Sequence, residues 1–332
     1  MSSPLNPFRA FRIHAEAKPF RAGIESMLVD QLSPGELVIK TAYSSVNYKD
    51  ALAGTGRGKI LREPVLNGGI DVAGHVIATA DPGFREGDSV LVTGSGLSET
   101  RDGGYSEYAR IASRSALPLP AGLDLREAMI LGTAGFTAAL ALLRMEANGQ
   151  TPDMGPIVVT GATGGVGMLA IDILSTAGYE AHAITGKVEQ FDTLIELGAT
   201  QCIARKDLYW GQRPLETSRW AGAIDSVGGE MLSGLTRVIH PYGNIAVCGM
   251  AGGAELHTTV MPFIIRGASV LGIASAGTAY PIRRTLWERL SGPWKPRHLQ
   301  RICTREAGLD ELTEVFATML SGGSFGRTLV RL

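Results

Sequence analysis

The chain has 332 residues, 45% hydrophobic and 19% charged, with a formal net charge of −1. That length accommodates two domains and a sizeable core, and the balance excludes an extended disordered chain or a polybasic nucleic-acid surface. The three cysteines, Cys202, Cys248 and Cys303, stand far apart, form neither a CxxC metal pattern nor an even disulfide framework, and read as buried free thiols in a reducing compartment.

The stretch Met1 to Phe11 lacks the apolar region of a secretory signal, and no run approaches the ~18 uninterrupted apolar residues of a membrane span. A cytoplasmic protein with no membrane partner is expected. From residue 8 to residue 130 the texture is all-β. Runs such as Leu37–Ala42, Gly74–Ala78, Ser89–Thr93 and Tyr105–Ile111 are separated by Gly, Pro, Asp and Ser, which predicts a compact barrel. After Pro120 the pattern changes, and Leu125–Ile130 and then Ala134–Glu146 read as helices.

The next segment carries the strongest signal. Pro156–Thr160 is a short apolar run that breaks into Gly161-Ala-Thr163-Gly164-Gly165-Val166-Gly167 and continues as the apolar helix Met168–Leu174. Strand, glycine turn, helix and a further strand at Ala181–Ile184 make one βαβ unit of the dinucleotide-binding kind. One glycine permits the tight reversal, another lets backbone N–H groups approach a pyrophosphate, and Gly167 allows the helix to pack on the strand. The pyrophosphate is assigned to Thr163, Gly164, Gly165 and Val166. An NAD-specific unit places Asp or Glu at the end of its second strand to hold the ribose 2′-OH. This chain has Thr185-Gly186-Lys187 there, ahead of a predicted helix Glu189–Leu197, with Arg205 just past the third strand Thr200–Ile203. A cation at a helix N-terminus is unfavourable unless an anion is present, and an arginine offers a bidentate phosphate contact. These residues point to a 2′-phosphate and therefore to NADPH.

Further strand-like runs near 222–226, 244–248 and 270–273 complete a six-stranded parallel, doubly wound sheet. Helical patterns follow at Ile282–Leu290 and Leu309–Leu320, and a terminal strand at Arg327–Arg331 is expected to return to the first domain. No internal repeat, low-complexity tract or charge block interrupts this plan.

A barrel followed by a nucleotide-binding fold resembles the medium-chain dehydrogenase/reductase superfamily over essentially the whole chain. The segments Asn47–Asp50, Ile130–Thr137, Trp220–Gly228, Thr259–Ile264 and Gly326–Val330 are together similar to its acrylyl-CoA reductase group, whose members often carry a quinone oxidoreductase name. The resemblance implies an α/β architecture with a GroES-like β-barrel catalytic domain, residues 1–130 with 275–332, and a Rossmann NADPH-binding domain, residues 131–274. It also implies reduction of the double bond of acrylyl-CoA to propanoyl-CoA, and a homodimer formed through the nucleotide-binding sheets. Zinc-dependent members place Cys and His ligands in the first domain. Here Ser44-Ser45-Val-Asn47-Tyr48-Lys49-Asp50 fills that stretch and Asp71 precedes Gly74-His75, so no metal is expected and His75 reads as a core or hydrogen-bonded residue.

Hydride transfer to an activated alkene requires a fixed nicotinamide, a polarised carbonyl and a proton for the α-carbon. The nicotinamide is expected near Cys248-Gly249-Met250 and Ser275, with Thr137 and Tyr48 on its other side. Gly249, Gly252 and Gly253 would leave room for the ring or form an ordinary strand-to-loop turn. Catalytic candidates are Tyr48, as proton donor or nicotinamide-orienting group, Asn47, as hydrogen-bond donor to the thioester carbonyl, Asp50 and Asp71. Arg57, Lys59 and Arg62 form a basic cluster for the CoA phosphates, with Arg283 and Arg284 as rivals. Two other readings stay open: an NADPH:quinone or general enone oxidoreductase with an uncharged cleft, and a non-catalytic NADPH-binding sensor.

Overall fold

The computed structural model describes residues 6–332, so the N-terminal stretch Met1 to Phe11 is covered only in part and residues 1–5 lie outside the described residues. The chain forms two compact units. One runs to Thr133 and takes back Ala276–Thr285 and Leu299–Leu332; the other is Ala134–Ser275 with Leu286–His298.

The first unit opens with β1 (Phe8–His14), β2 (Arg21–Met27), β3 (Leu37–Ser45), β4 (Val65–Asn67), β5 (Asp71–Thr79), β6 (Ser89–Thr93), β7 (Tyr108–Ile111) and β8 (Leu117–Pro118). A small sheet has the order β2-β1-β4, while β3, β5, β6 and β8 lie side by side in a larger one, with β7 also on β3. Side chains two residues apart share a face. Leu37 and Ile39 on β3, Val72 and Val76 on β5, and Val90 and Val92 on β6 therefore meet in one buried cluster. Each such side chain contributes about 1.5–3 kcal/mol by leaving water, and Ile39→Ala would cost about 2–5 kcal/mol with its cavity.

A helical run, Leu125–Ala147, breaks at Gly132 (φ 48°, ψ −154°), so the two helices expected from the sequence stand on either side of that residue. By length and composition this run is apolar enough to cross a membrane, but most of it is buried within the protein.

The second unit holds β9 (Ile157–Thr160), β10 (Ala181–Thr185), β11 (Ala199–Ala204), β12 (Trp220–Asp225), β13 (Ile239–Val247) and β14 (Ser269–Gly272). They form one six-stranded sheet in the order β11-β10-β9-β12-β13-β14, and every pairing is parallel. The order reverses between β9 and β12, which opens a crevice at the carboxyl ends of those strands, where ligands bind in such sheets. Burial on both faces suits the β-branched run of β9, all of which is buried.

The chain then returns. β15 (Cys303–Ala307) and β16 (Arg327–Arg331) extend the larger sheet of the first unit, with β16 antiparallel to β3 and Leu329 opposite Ser45. The helix Leu312–Leu320 packs Phe316 edge-on against Phe11 with ring centroids 5.7 Å apart. The division differs from the expected one by three residues at Thr133, by one at Ser275 and, most of all, in that residues 286–298 join the second unit. Arg289 salt-bridges Glu146 at 3.0 Å and stacks 4.3 Å from the Trp294 ring, and the Asp172 carboxylate accepts the N–H groups of Arg297 and His298. An amphipathic pattern shows that a segment has an apolar face but does not say which core receives it.

Candidate active site

In the second unit the glycine turn sits where the sheet order reverses. Gly164 precedes the helix Gly165–Thr176 without a side chain to cap it, and the first N–H groups of any helix lack intrahelical acceptors. The turn is thus a ready anion site for a dinucleotide pyrophosphate. Gly167 is required by close approach, since a Cβ there would lie 2.4 Å from Gly161 O and 2.7 Å from Ala162 Cα. The hydroxyls of Thr163 and Thr185 meet at 2.9 Å and tie the turn to the end of β10, and Thr185 Oγ1 accepts the Lys187 N–H at 3.0 Å. Arg205, exposed just past β11, swings back over Gly186, where a Cβ would stand 3.2 Å from its Nη2. The structure therefore gathers Thr185, Gly186, Lys187 and Arg205 at one strand end. Partial burial holds the Lys187 ammonium below its ordinary range, as expected of a cation that an incoming anion would stabilise.

Of the later strand ends, Met250 is exposed, Ser275 half-buried, and Thr137 buried in the helical run. At the glycines after β13 two loops approach closely: a Cβ on Gly249 would lie 2.3 Å from Ser226 O and one on Gly252 2.8 Å from Val227 Cγ1, whereas one on Gly253 would meet nothing nearer than 3.4 Å. Gly249 and Gly252 are thus required by the close packing of a strand-to-loop turn.

The first unit places Asn47, Asp50 and Asp71 in one buried network. Asp71, at the start of β5, is fully enclosed, and its carboxylate accepts Ser45 Oγ at 2.6 Å, Asn47 Nδ2 at 2.8 Å, Thr133 Oγ1 at 2.6 Å and the Thr133 N–H at 3.0 Å. Asp50 accepts the Asn47 N–H at 2.9 Å and the Ile70 N–H at 3.0 Å. Burial, reinforced by the negative charge of Asp71, pushes its carboxyl up to about 7. Arg327 closes the network from β16. It donates to Ile130 O, Val46 O, Asn47 Oδ1 and Ser45 Oγ at 2.6–3.2 Å, and so reaches Asp71 through the Ser45 hydroxyl. Gly132 is the only residue type that fits beside it, because a Cβ there would stand 2.6 Å from Ser45 Oγ and 2.7 Å from Asp71 Oδ2.

Two of the catalytic candidates are held inside this arrangement. Asp71 has no exposed surface, and both amide hydrogens of Asn47 are engaged, by Asp71 and by Asp50. Tyr48 opens the helix Tyr48–Gly54 directly after this clamp and is 46% exposed. Sequence reasoning gave no role to Ser45, Thr133 or Arg327, although Thr133 and Arg327 lie in the segments that carry the family resemblance. What joins them is burial of polar groups contributed by distant strands.

The basic cluster is only partly available. Arg57 and Lys59 are exposed, but Arg62 shares Glu99 with Lys49, at 3.1 and 2.5 Å. Arg283 is 3% exposed rather than a surface cation, and its Nη1 donates to Thr93 O and Thr93 Oγ1, both at 2.8 Å. His75 is exposed, with its ring 3.2 Å from Ser89 Oγ, so it is hydrogen-bonded but not in the core. The three free thiols are half-buried rather than buried, and burial pushes Cys248 up to about 12.

The family model described as an alcohol dehydrogenase GroES-like domain matches residues 33–121, and one described as a zinc-binding dehydrogenase matches residues 165–291. YhfP of Bacillus subtilis (strain 168), which carries a quinone oxidoreductase name, is 44% identical over 98% of this chain and 99% of its own. Its solved structure, with NAD bound, superposes with a TM-score of 0.94 at 42% identity over 99% of this chain and 100% of that one. Acrylyl-CoA reductase AcuI of Ruegeria pomeroyi is 42% identical over 95% of this chain and 96% of its own. The yhdH oxidoreductase of Salmonella enterica, solved with NADP, gives a TM-score of 0.93 at 39% identity over 98% of this chain and 99% of that one. The zinc in one family description has no counterpart in the donor set here: among the described residues no three His, Cys, Asp or Glu side chains gather as ligands, and Asp71 is consumed by hydrogen bonds.

Proposed function

The chain belongs to the medium-chain dehydrogenase/reductase family, in the group of acrylyl-CoA reductases and quinone oxidoreductases, and from that premise we propose that it reduces the α,β-double bond of acrylyl-CoA to propanoyl-CoA with NADPH. Its 42% identity to an acrylyl-CoA reductase over nearly the full length supports the substrate. The grouping of Lys187 and Arg205 beside Gly186, with no acidic residue at the end of β10, supports NADPH over NADH and carries the cofactor assignment. Bound NADPH supplies the hydride that adds to the alkene β-carbon.

The residues of the chain do the rest. Thr163, Gly164, Gly165 and Val166 hold the pyrophosphate, and Thr185, Gly186, Lys187 and Arg205 hold the 2′-phosphate. Thr137, Met250 and Ser275 are assigned to the nicotinamide end. The Tyr48 hydroxyl, exposed at a helix start, donates the proton that the α-carbon needs once hydride has arrived at the β-carbon. Asn47 and Asp71 act through position, since they clamp the turn that carries Tyr48. Arg57 and Lys59 are exposed and able to meet substrate phosphates.

We assign a homodimer on one further observation. β14 is the last strand of the six-stranded sheet, and Val260, Ile264 and Ile265, on or next to the helix Met261–Arg266 that precedes it in the chain, are 66%, 74% and 60% exposed. An edge strand and an exposed apolar patch in the same stretch of chain support a pairing surface. A reducing cytoplasm suits the unpaired Cys202, Cys248 and Cys303. The quinone oxidoreductase reading rests on YhfP, which shares the fold and the larger identity. Loss of NADPH absorbance with acrylyl-CoA, crotonyl-CoA and a simple quinone, measured side by side, decides between them. Preference for the quinone overturns the acyl-CoA reading, and binding of NADPH without turnover of any activated alkene would make the protein a sensor.

A further inference from the structure

A cleft of about 250 Å³ in the first unit is lined by Arg101, Arg114 and Arg283, with Ser95, Ser115 and Tyr280 among its hydroxyl-bearing residues and no carboxylate on its wall. Pockets that enclose a whole drug-sized ligand hold about 300–1,000 Å³, so this one takes part of a larger molecule. Arg101 Nη1 is shut from solvent and has no acceptor among the described residues. A buried charged donor without a partner is costly to leave in that state, and a small movement of this half-buried side chain into the cleft that it lines would let an anion satisfy it. The loop that carries Arg101 is held in unusual backbone: Ser95 and Ser98 have φ of 54° and 57° without being glycine. Left-handed serines in the loop that forms an arginine-lined wall are strain of the kind found at ligand sites.

We propose that this cleft is an anion subsite that receives a phosphate group of the CoA portion of the substrate, with Arg101 as the main contact and Arg114 as the second. The inference rests on the acyl-CoA reading above and deepens it, since it supplies a reason for the enzyme to prefer a CoA thioester over an uncharged enone or quinone. Two arginines present planar forks that match phosphate oxygens in bidentate fashion, whereas a neutral quinone offers them only uncharged carbonyl acceptors. The subsite also replaces Arg62, whose charge is shared with Glu99, as the place where substrate phosphates are read.

The test compares acrylyl-CoA with acrylyl-pantetheine, which keeps the reacting thioester and lacks every phosphate. In the unaltered protein kcat/KM should favour acrylyl-CoA. Arg101→Gln and, separately, the exposed Arg114→Gln should lower that preference about tenfold each, chiefly through KM for acrylyl-CoA, and Arg101→Lys should restore part of it. With NADPH saturating, so that the dinucleotide site is filled, inorganic pyrophosphate should compete with acrylyl-CoA and leave acrylyl-pantetheine turnover unaffected. A preference that survives both glutamine substitutions overturns the proposal, as does an equal loss on the two substrates. If the protein reduces quinones and no acyl-CoA, the function reading has failed separately. Calorimetric binding of pyrophosphate to the unaltered protein saturated with NADPH, lost in Arg101→Gln, would then retain the anion subsite, and equal binding by both proteins would remove it.

Discussion

Asp71 and Thr133 are joined twice, the carboxylate accepting the Thr133 hydroxyl at 2.6 Å and its backbone N–H at 3.0 Å. The second bond exists because the helix breaks at Gly132, which turns the next N–H out of the helical ladder and toward β5. Removing the charge with Asp71→Asn leaves an amide among donors, with Arg327 buried nearby, and should destabilise the protein by about 3–5 kcal/mol, the usual cost of breaking a buried ionic network on one side. Thr133→Val removes only the hydroxyl and should cost about 1–3 kcal/mol. Denaturant unfolding of the two variants measures both, and near-neutral values would mean that the network contributes nothing to the fold.

Cofactor choice should follow Arg205. Arg205→Ala should raise KM for NADPH by about 10–100-fold, the range of one or two charge-assisted hydrogen bonds, and leave KM for NADH nearly unaltered. Equal effects on the two cofactors would remove the 2′-phosphate from the site.

Tyr48→Phe should lower kcat by about 10²–10⁴-fold if its hydroxyl delivers the proton, with KM for NADPH little altered. Unchanged turnover would assign the proton to solvent and reduce Tyr48 to a surface aromatic.

Stability should depend on pH through Asp50, whose carboxyl is pushed up from 3.8 to about 7 by burial and by Asp71. A raised folded-state value means that the folded protein holds the proton more tightly than the unfolded chain does. The resulting stabilisation is full below pH 3.8 and is lost as pH rises through 7. Unfolding free energy should therefore fall by about 2 kcal/mol between pH ~5.5 and ~8, and Asp50→Asn should flatten that slope. Glu216 is lowered to about 2 by Arg213, so its contribution disappears only in stronger acid, outside this window. A flat profile in the unaltered protein would show that Asp50 ionises normally.

If the edge of β14 is a pairing surface, Ile264→Asp should convert a dimer to a monomer in sedimentation experiments and leave NADPH affinity intact. A monomer in the unaltered protein would end the homodimer reading.

How much of this was legible beforehand divides by physical range. The βαβ turn, the six parallel strands and the return of Arg327–Arg331 to the first unit were all readable, because periodicity and glycine spacing are local. So was the company of Lys187 and Arg205, since consecutive parallel strands end side by side. Asn47 and Asp71 stood out in the sequence as unusual polar residues, but the network that encloses them did not. Whether a carboxylate faces substrate or is consumed by Ser45, Asn47 and Thr133 depends on partners supplied by other strands. The partners of Arg62 and Arg283 were hidden for the same reason: a cation in a sequence carries no sign of the carboxylate or carbonyl that it will meet. Arg101 passed unremarked, since one arginine in a glycine-rich loop looks like an ordinary surface residue.

The clamp around Asp71 also sets an order of assembly. Its members come from Ser45 to Asp50, from Asp71, from Ile130 to Thr133 and finally from Arg327, nearly two hundred residues after the helix break. During synthesis on the ribosome, all six strands of the second unit are complete by Gly272, long before Arg327 is made. The unit whose strands emerge first is therefore the one that closes last, and its arginine socket has to wait, lined with polar groups, until the returning strand fills it.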